Sequence, residues 1–182
     1  PNICVITNIG CCHLENLGDR DGILKAKTEM FKNMQKDGKI FLCGDDDKLS
    51  TVKEYKGIAP TFYGLNDTNK YYGEIIENNS EDGIKCNLHF DGKSIPVTVP
   101  AIGNHMVANA MASVAIGKYL GMTDEEIVRG IESYSTIGGR NNVIKTDKYT
   151  VIDDCYNANP TSTKASIDTI ANFSNPRKVC IL

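Results

Sequence analysis

The sequence predicts an α/β fold: a parallel sheet with a β-hairpin insert, followed by the first elements of a second α/β unit. Three observations predict it. A buried-type strand, a helix and another buried-type strand succeed one another over residues 3–44, which implies a right-handed parallel crossover. Apolar residues alternate with polar ones on both sides of Asp91-Gly92, which marks hairpins within residues 61–100. Gly138-Gly139-Arg140 then breaks the pattern, and a new strand–turn–helix order follows. The boundary is therefore expected there, with residues 1–138 in one domain and 139–182 opening the next.

The bulk composition narrows the classes. The chain has 182 residues, a formal charge of −3 and 41% hydrophobic residues. That length allows one good core, or one domain and part of another. No apolar run approaches the ~20 residues of a membrane span, so insertion into a membrane is not expected. The mild acidic balance gives no reason to expect nucleic acid. No secretory leader is expected. The seven cysteines are odd in number and form no C-x-x-C pair, which suits a reducing cytoplasm better than a disulfide framework. Cys11-Cys12-His13 lacks the second ligand pair that zinc requires. The chain opens on Pro1 and closes on the strand-like Val179-Cys180-Ile181-Leu182. Such a strand needs neighbours on both sides, so a fragment is expected.

The elements follow in order. Residues 3–8 form a short apolar strand ending in Thr7-Asn8, and residues 40–44 form a second ending in Asp45-Asp46-Asp47. Ligands of parallel sheets collect at such carboxyl ends. Between them, residues 21–36 read as a helix whose apolar stripe is Ile23, Leu24, Met30, Phe31 and Met34, at about 100° per residue. Lys27 falls in the middle of that stripe. A buried ammonium is costly, so this lysine is expected to be paired, neutral or modified. The alternative is a long side chain that snorkels from the edge of the face.

Gly92-Lys93-Ser94 imitates the end of a phosphate loop, but Asn87 stands where the first glycine is required and no helix follows, so it reads as a hairpin turn. Residues 105–120 form a helix that is apolar almost all round and should be buried, with Asn104 as N-cap and Gly121 just past its end. Asn109 lies inside it, and a buried amide there needs a partner, either the local backbone or a ligand. Thr123 and Glu126 form a capping box for a helix reaching about residue 134. Residues 142–146 and 149–154 read as a hairpin. Asp153-Asp154-Cys155-Tyr156-Asn157-Ala158-Asn159-Pro160 follows, with Asn159 and Pro160 starting a helix to about residue 173. A strand, a polar turn and a helix suit phosphate or ribose contact, although the same residue types serve ordinary turns and caps.

Four stretches carry a resemblance. They are Ile6-Thr7-Asn8-Ile9-Gly10 through His13-Leu14-Glu15, Gly22-Ile23-Leu24-Lys25-Ala26-Lys27, Gly103-Asn104-His105-Met106-Val107-Ala108-Asn109-Ala110, and Ile152-Asp153-Asp154 through Tyr156-Asn157-Ala158-Asn159-Pro160. Together, and in this order, they resemble the Mur ligase family over nearly the whole chain. The resemblance implies the parallel-sheet central ATP-binding domain of that family without its phosphate-loop part, then the start of a Rossmann-like C-terminal domain. It implies an ATP- and Mg2+-dependent amide-bond ligase of peptidoglycan precursor synthesis, working in the cytoplasm through an acyl phosphate. The Tyr-Asn-Ala-Asn-Pro form points to UDP-N-acetylmuramoyl-tripeptide and D-alanyl-D-alanine as substrates.

Site roles follow from the same resemblance. Lys27 matches a lysine carbamylated by carbon dioxide, and His13 matches a metal-ligand histidine; these two are the catalytic and metal-binding candidates. Asn109 matches a residue on the adenine side of ATP, Arg140 one near the phosphates and Asp154 one on the ribose, with Tyr156 and Asn157 beside it. Departures from the family pattern are Met106 for a frequent Asn, Asn142 for a frequent Glu and Cys155 for a frequent Ser. With the phosphate loop and a metal-binding glutamate expected upstream, this chain alone is expected to be inactive. Rival readings are another ligase of the superfamily, such as folylpolyglutamate synthase, and a non-catalytic nucleotide-binding module.

Overall fold

The computed structural model describes residues 1–11, 17–80, 82–136 and 138–181, the side chains of residues 79 and 80 excepted. Strands β1 (Ile3–Ile6), β2 (Lys39–Cys43), β3 (Thr61–Gly64) and β4 (Tyr71–Ser80) run parallel, each beside the one before it. β5 (Gly83–Phe90) and β6 (Lys93–Val99) continue the same sheet antiparallel to β4. The expected hairpins are therefore an extension of the parallel sheet. β4 serves both halves, pairing parallel on one edge and antiparallel on the other. Asp91 and Gly92 both take positive φ, 49° and 73°, as the two-residue turn between β5 and β6 requires.

The β3–β4 connection is short for a parallel pair, which ordinarily needs a dozen residues or more. Asp45 makes it workable. Its carboxylate accepts the N–H of Leu65 at 2.5 Å and of Asn66 at 3.1 Å, and the Asn69 amide at 2.8 Å. The strand ends must come close for this. A Cβ on Gly64 would run into the Asp45 carboxylate, and one on Gly44 into the Asn69 side chain.

The first helix is shorter than its stripe suggests. α1 (Arg20–Thr28) is capped by Asp19, which accepts from Gly22 N–H, and gives way to a 3-10 turn over Glu29–Asn33. The tighter winding shifts the later positions around the axis. Phe31 stays buried, whereas Met30 turns out to solvent at 40% exposure.

α2 (His105–Tyr119) lies over β2, β3 and β4 and buries Val107, Ala110, Met111, Ala112, Val114 and Ala115. Gly73 of β4 carries no side chain because Val107 and Met111 occupy that space. Asn104 does not cap this helix; it is itself helical and its side chain meets Asn78. Gly121 at φ 81° ends it as expected. α3 (Asp124–Glu132) opens on the expected Thr123–Glu126 capping box. Lys118 reaches Asp124 at 2.8 Å and Asp91 at 3.6 Å, and Lys93 also reaches Asp124, so one network ties both helices to the hairpin turn.

The last segment is thinner. β7 (Asn142–Lys145) and β8 (Thr150–Asp153) form a separate two-stranded sheet, and α4 (Pro160–Ala171) starts with Asn159 and Ser162 in a reciprocal cap. The terminal stretch forms no strand among the described residues, and Val179 and Ile181 are 66% and 95% exposed. An apolar run becomes a strand only against a partner, and none of the described residues supplies one. The apolar core ends at Ile131, and beyond it only Thr169 is buried among the described residues.

Candidate functional site

Two clusters contain the expected residues. The first lies at the carboxyl ends of β1 and β2. Lys27 is half-buried there, and its Nζ donates to the Asn8 carbonyl at 2.8 Å. This corrects the expectation of a lysine sunk among Ile23, Met30 and Phe31. Met30 has left that face, and the long side chain carries its ammonium to a carbonyl at the strand end. His13 lies outside the described residues.

The surrounding contacts are dense. Ile9 N–H donates to Asp46 Oδ2 at 2.7 Å, and Ile9 O accepts from Arg20 Nε at 2.9 Å. Asp46 Oδ1 takes Lys48 N–H at 3.0 Å and Leu49 N–H at 2.9 Å. The Arg20 guanidinium pairs with both oxygens of Asp47. That pairing holds the Asp47 carboxyl below the usual carboxylate range. Lys48 reaches back to Asp21 at 2.6 Å. The Asp45-Asp46-Asp47 run was placed at a strand end by sequence. Arg20 carried no signal, because a lone arginine at a helix start is unremarkable.

The second cluster gathers where residues 138–141 meet the turn after β8. Gly139 N–H donates to Asp153 at 3.0 Å, and Tyr156 N–H donates to Gly139 O at 3.0 Å. Asp154 accepts Asn141 N–H on one oxygen at 3.2 Å and the Ser166 hydroxyl on the other at 2.5 Å. The Arg140 guanidinium lies 4.1 Å from the centre of the Tyr156 ring. Arg140, Tyr156 and Asn157 are all exposed. The Cys155 thiol and the Gly139 N–H hold the Asp153 carboxyl low, and Asp153 in turn pushes the Cys155 thiol up.

Asn109 is exposed rather than buried, because it falls on the solvent side of α2. Its amide stands 3.7 Å from the Met106 sulfur, a weak acceptor. His105 lies one turn earlier on the same face. Burial pushes the His105 ring down and the Asp154 charge opposes that shift, although part of the ring stays accessible. Two open depressions, about 720 and 610 Å³, lie elsewhere, one over Tyr72 and His89 and one beside α3. Neither is lined by an expected site residue. Among the described residues no three His, Cys, Asp or Glu side chains are grouped to hold a metal.

The Mur ligase middle domain family matches residues 1–117. The chain belongs to the Mur ligase family. It is 39% identical over 170 residues to the UDP-N-acetylmuramoyl-tripeptide–D-alanyl-D-alanine ligase of Bacillus subtilis, covering 92% of this chain and 35% of that protein. It is 30% identical to a UDP-N-acetylmuramate–L-alanine ligase of Clostridium botulinum, covering 100% of this chain and 40% of that protein. The crystal structure of MurF from Acinetobacter baumannii superposes with a TM-score of 0.86 at 32% identity, covering 94% of this chain and 38% of that one. The chain spans little more than a third of the length of the relatives it matches.

Proposed function

We propose that this chain is the central part of an ATP-dependent ligase that joins D-alanyl-D-alanine to UDP-N-acetylmuramoyl-tripeptide in the cytoplasm. The observation that carries the reading is Lys27. In a chain of this family, its nitrogen stands on the Asn8 carbonyl at the carboxyl end of β1, where an α/β sheet places its ligands. The 39% identity to a D-alanyl-D-alanine ligase, against 30% to an L-alanine ligase, supports these substrates. The domain boundary is proposed near residues 138–139, supported by a core that ends at Ile131.

Lys27 as an ammonium is no metal ligand. Its neutral amine attacks carbon dioxide, a nitrogen–carbon bond forms, one proton leaves, and the product is a carbamate anion. The carbamate keeps one N–H, enough to stay on the Asn8 carbonyl. Carbamylated Lys27 and His13 would then be the residues to hold Mg2+, and the ion would supply charge neutralisation for a phosphoryl group passing from ATP to the tripeptide carboxylate. The dipeptide amine next attacks that activated carbonyl, the amide bond forms and phosphate leaves.

The second cluster would hold ATP. Among the described residues nothing takes the N–H donors of Arg140, which would leave them for phosphates while the guanidinium lies over the Tyr156 ring. Both Asp154 oxygens are already in use, yet each retains a lone pair for a ribose hydroxyl, beside Tyr156 and Asn157. Asn109 gives up only a contact to sulfur when its amide turns to adenine.

In an intact ligase carrying this chain, Lys27→Ala should abolish turnover, and short carboxylates that stand in for the carbamate should partly restore it. Full activity of Lys27→Ala would overturn the reading. A substrate panel separates the D-alanyl-D-alanine acceptor from L-alanine, which the 30% identity to the L-alanine ligase makes the second candidate.

A further inference from the structure

We propose that Arg20 and Asp46 are positioning residues for Lys27, acting through the peptide bond between Asn8 and Ile9. The proposal rests on Lys27 being the functional group described above. The Asn8 carbonyl and the Ile9 N–H belong to one planar unit. Asp46 Oδ2 holds its N–H at 2.7 Å, and Lys27 Nζ holds its carbonyl at 2.8 Å. Rotating that plane would break both bonds. The direction in which the Asn8 carbonyl points, and so the place of the Lys27 nitrogen, is set by Asp46.

Asp46 cannot follow a moving peptide. Its other oxygen is taken by Lys48 N–H and Leu49 N–H at the start of the 3-10 turn Leu49–Thr51, where Leu49 is fully buried. The next carbonyl along, Ile9 O, is held by Arg20 Nε, and the Ile9 side chain is 1% exposed. Arg20 and Lys27 are seven residues apart, two turns of α1, so one helix face grips two consecutive carbonyls. Asp47 fixes the far end of Arg20. Carboxylate, peptide and ammonium form a chain in which each hydrogen bond polarises the next. The three aspartates thus divide the work. Asp45 shapes the β3–β4 connection, Asp46 aims the peptide, and Asp47 braces Arg20.

The test reads the Lys27 amine directly. The 182-residue chain is labelled with limiting acetic anhydride, and the labelling rates of Lys27 and Lys25 are compared by peptide mass spectrometry. Lys25 is exposed on the same helix and serves as the reference, with Lys118 as a control in a distant ion-pair network. In Asp46→Ala the Lys27-to-Lys25 ratio should rise roughly fivefold, the factor that one hydrogen bond of ordinary strength supplies. Deuterium uptake at the Ile9 amide should quicken, and Lys118 should not change. Arg20→Lys, which keeps the charge but cannot reach Ile9 O and Asp47 together, should give a smaller rise in the same ratio. If Asp46→Ala does not fold, Arg20→Lys decides the question alone. An unchanged ratio in the folded variants overturns the positioning role, as does a uniform rise that includes Lys118. Activity of Lys27→Ala in the ligase would instead overturn the functional reading, so the two failures are told apart.

Discussion

Lys27 meets Asn8 beside a strand end whose neighbours Ile6, Ile9 and Leu42 are all buried, while Arg140 meets Tyr156 in the segments flanking a two-stranded sheet in which every apolar residue is at least partly exposed. Both clusters place charged groups at a turn after a strand. They are held in different ways. The first inherits its geometry from close packing beneath it, which resists displacement because a packed core has few alternative arrangements. The second depends on local hydrogen bonds, namely Gly139 to Asp153, Tyr156 to Gly139, Asn141 to Asp154 and Ser166 to Asp154.

That contrast can be broken most severely from the core. Met111 is fully buried beneath Gly73, so Met111→Ala should cost about 2–5 kcal/mol of global stability. Val151→Ala on exposed β8 should stay within about 0.5 kcal/mol. Urea titration checks both, and equal losses would show that the thin segment has a hidden core. A smaller effect belongs to the Arg140–Tyr156 stack. A double-mutant cycle with Arg140→Lys and Tyr156→Leu should return about 0.5–1 kcal/mol of coupling, typical of an exposed cation–π contact. A value near zero would mean that the ring does not brace the guanidinium.

The smallest effect is acid dependence. Asp124 is held low by Lys118 and Lys93, and Asp153 by Cys155 and Gly139. Their folded values lie below the unfolded carboxylate near 4. Their stabilisation is therefore complete above that value and is lost as pH falls through the lower folded value. Asp124→Asn should flatten the acid limb of global unfolding. Asp153→Asn should flatten only local opening, read as deuterium uptake at Gly139. The reverse assignment would contradict the separation of the two regions.

Much of this was legible in sequence because local rules agree with the tertiary environment. Asp91-Gly92, the Thr123–Glu126 box, Gly121 and Asn159-Pro160 each specify a backbone conformation without help from afar, and each appears where it was read. Met30 did not follow its stripe, because periodicity assumes an unbroken α-helix and Glu29–Asn33 is wound more tightly. Asn104 lost its capping role to a contact with Asn78, twenty-six residues away. Asn109 looked buried because α2 is apolar nearly all round, and composition does not show which side meets solvent. In the first cluster, Lys27 stood out as a misplaced charge. Arg20 and the individual duties of three consecutive aspartates did not, since they depend on contacts from 11 to 37 residues away in sequence.

The strands stand in the sheet in the order in which they occur in the chain. Within β1–β6 each strand after the first therefore finds a partner already made as synthesis proceeds, and among the described residues no later segment is inserted between neighbours. Closing only residues 65–70 between β3 and β4 costs little loop entropy, and the β4–β6 meander is local. These six strands can pair in chain order as the polypeptide emerges, which keeps the time each spends with an open apolar edge short.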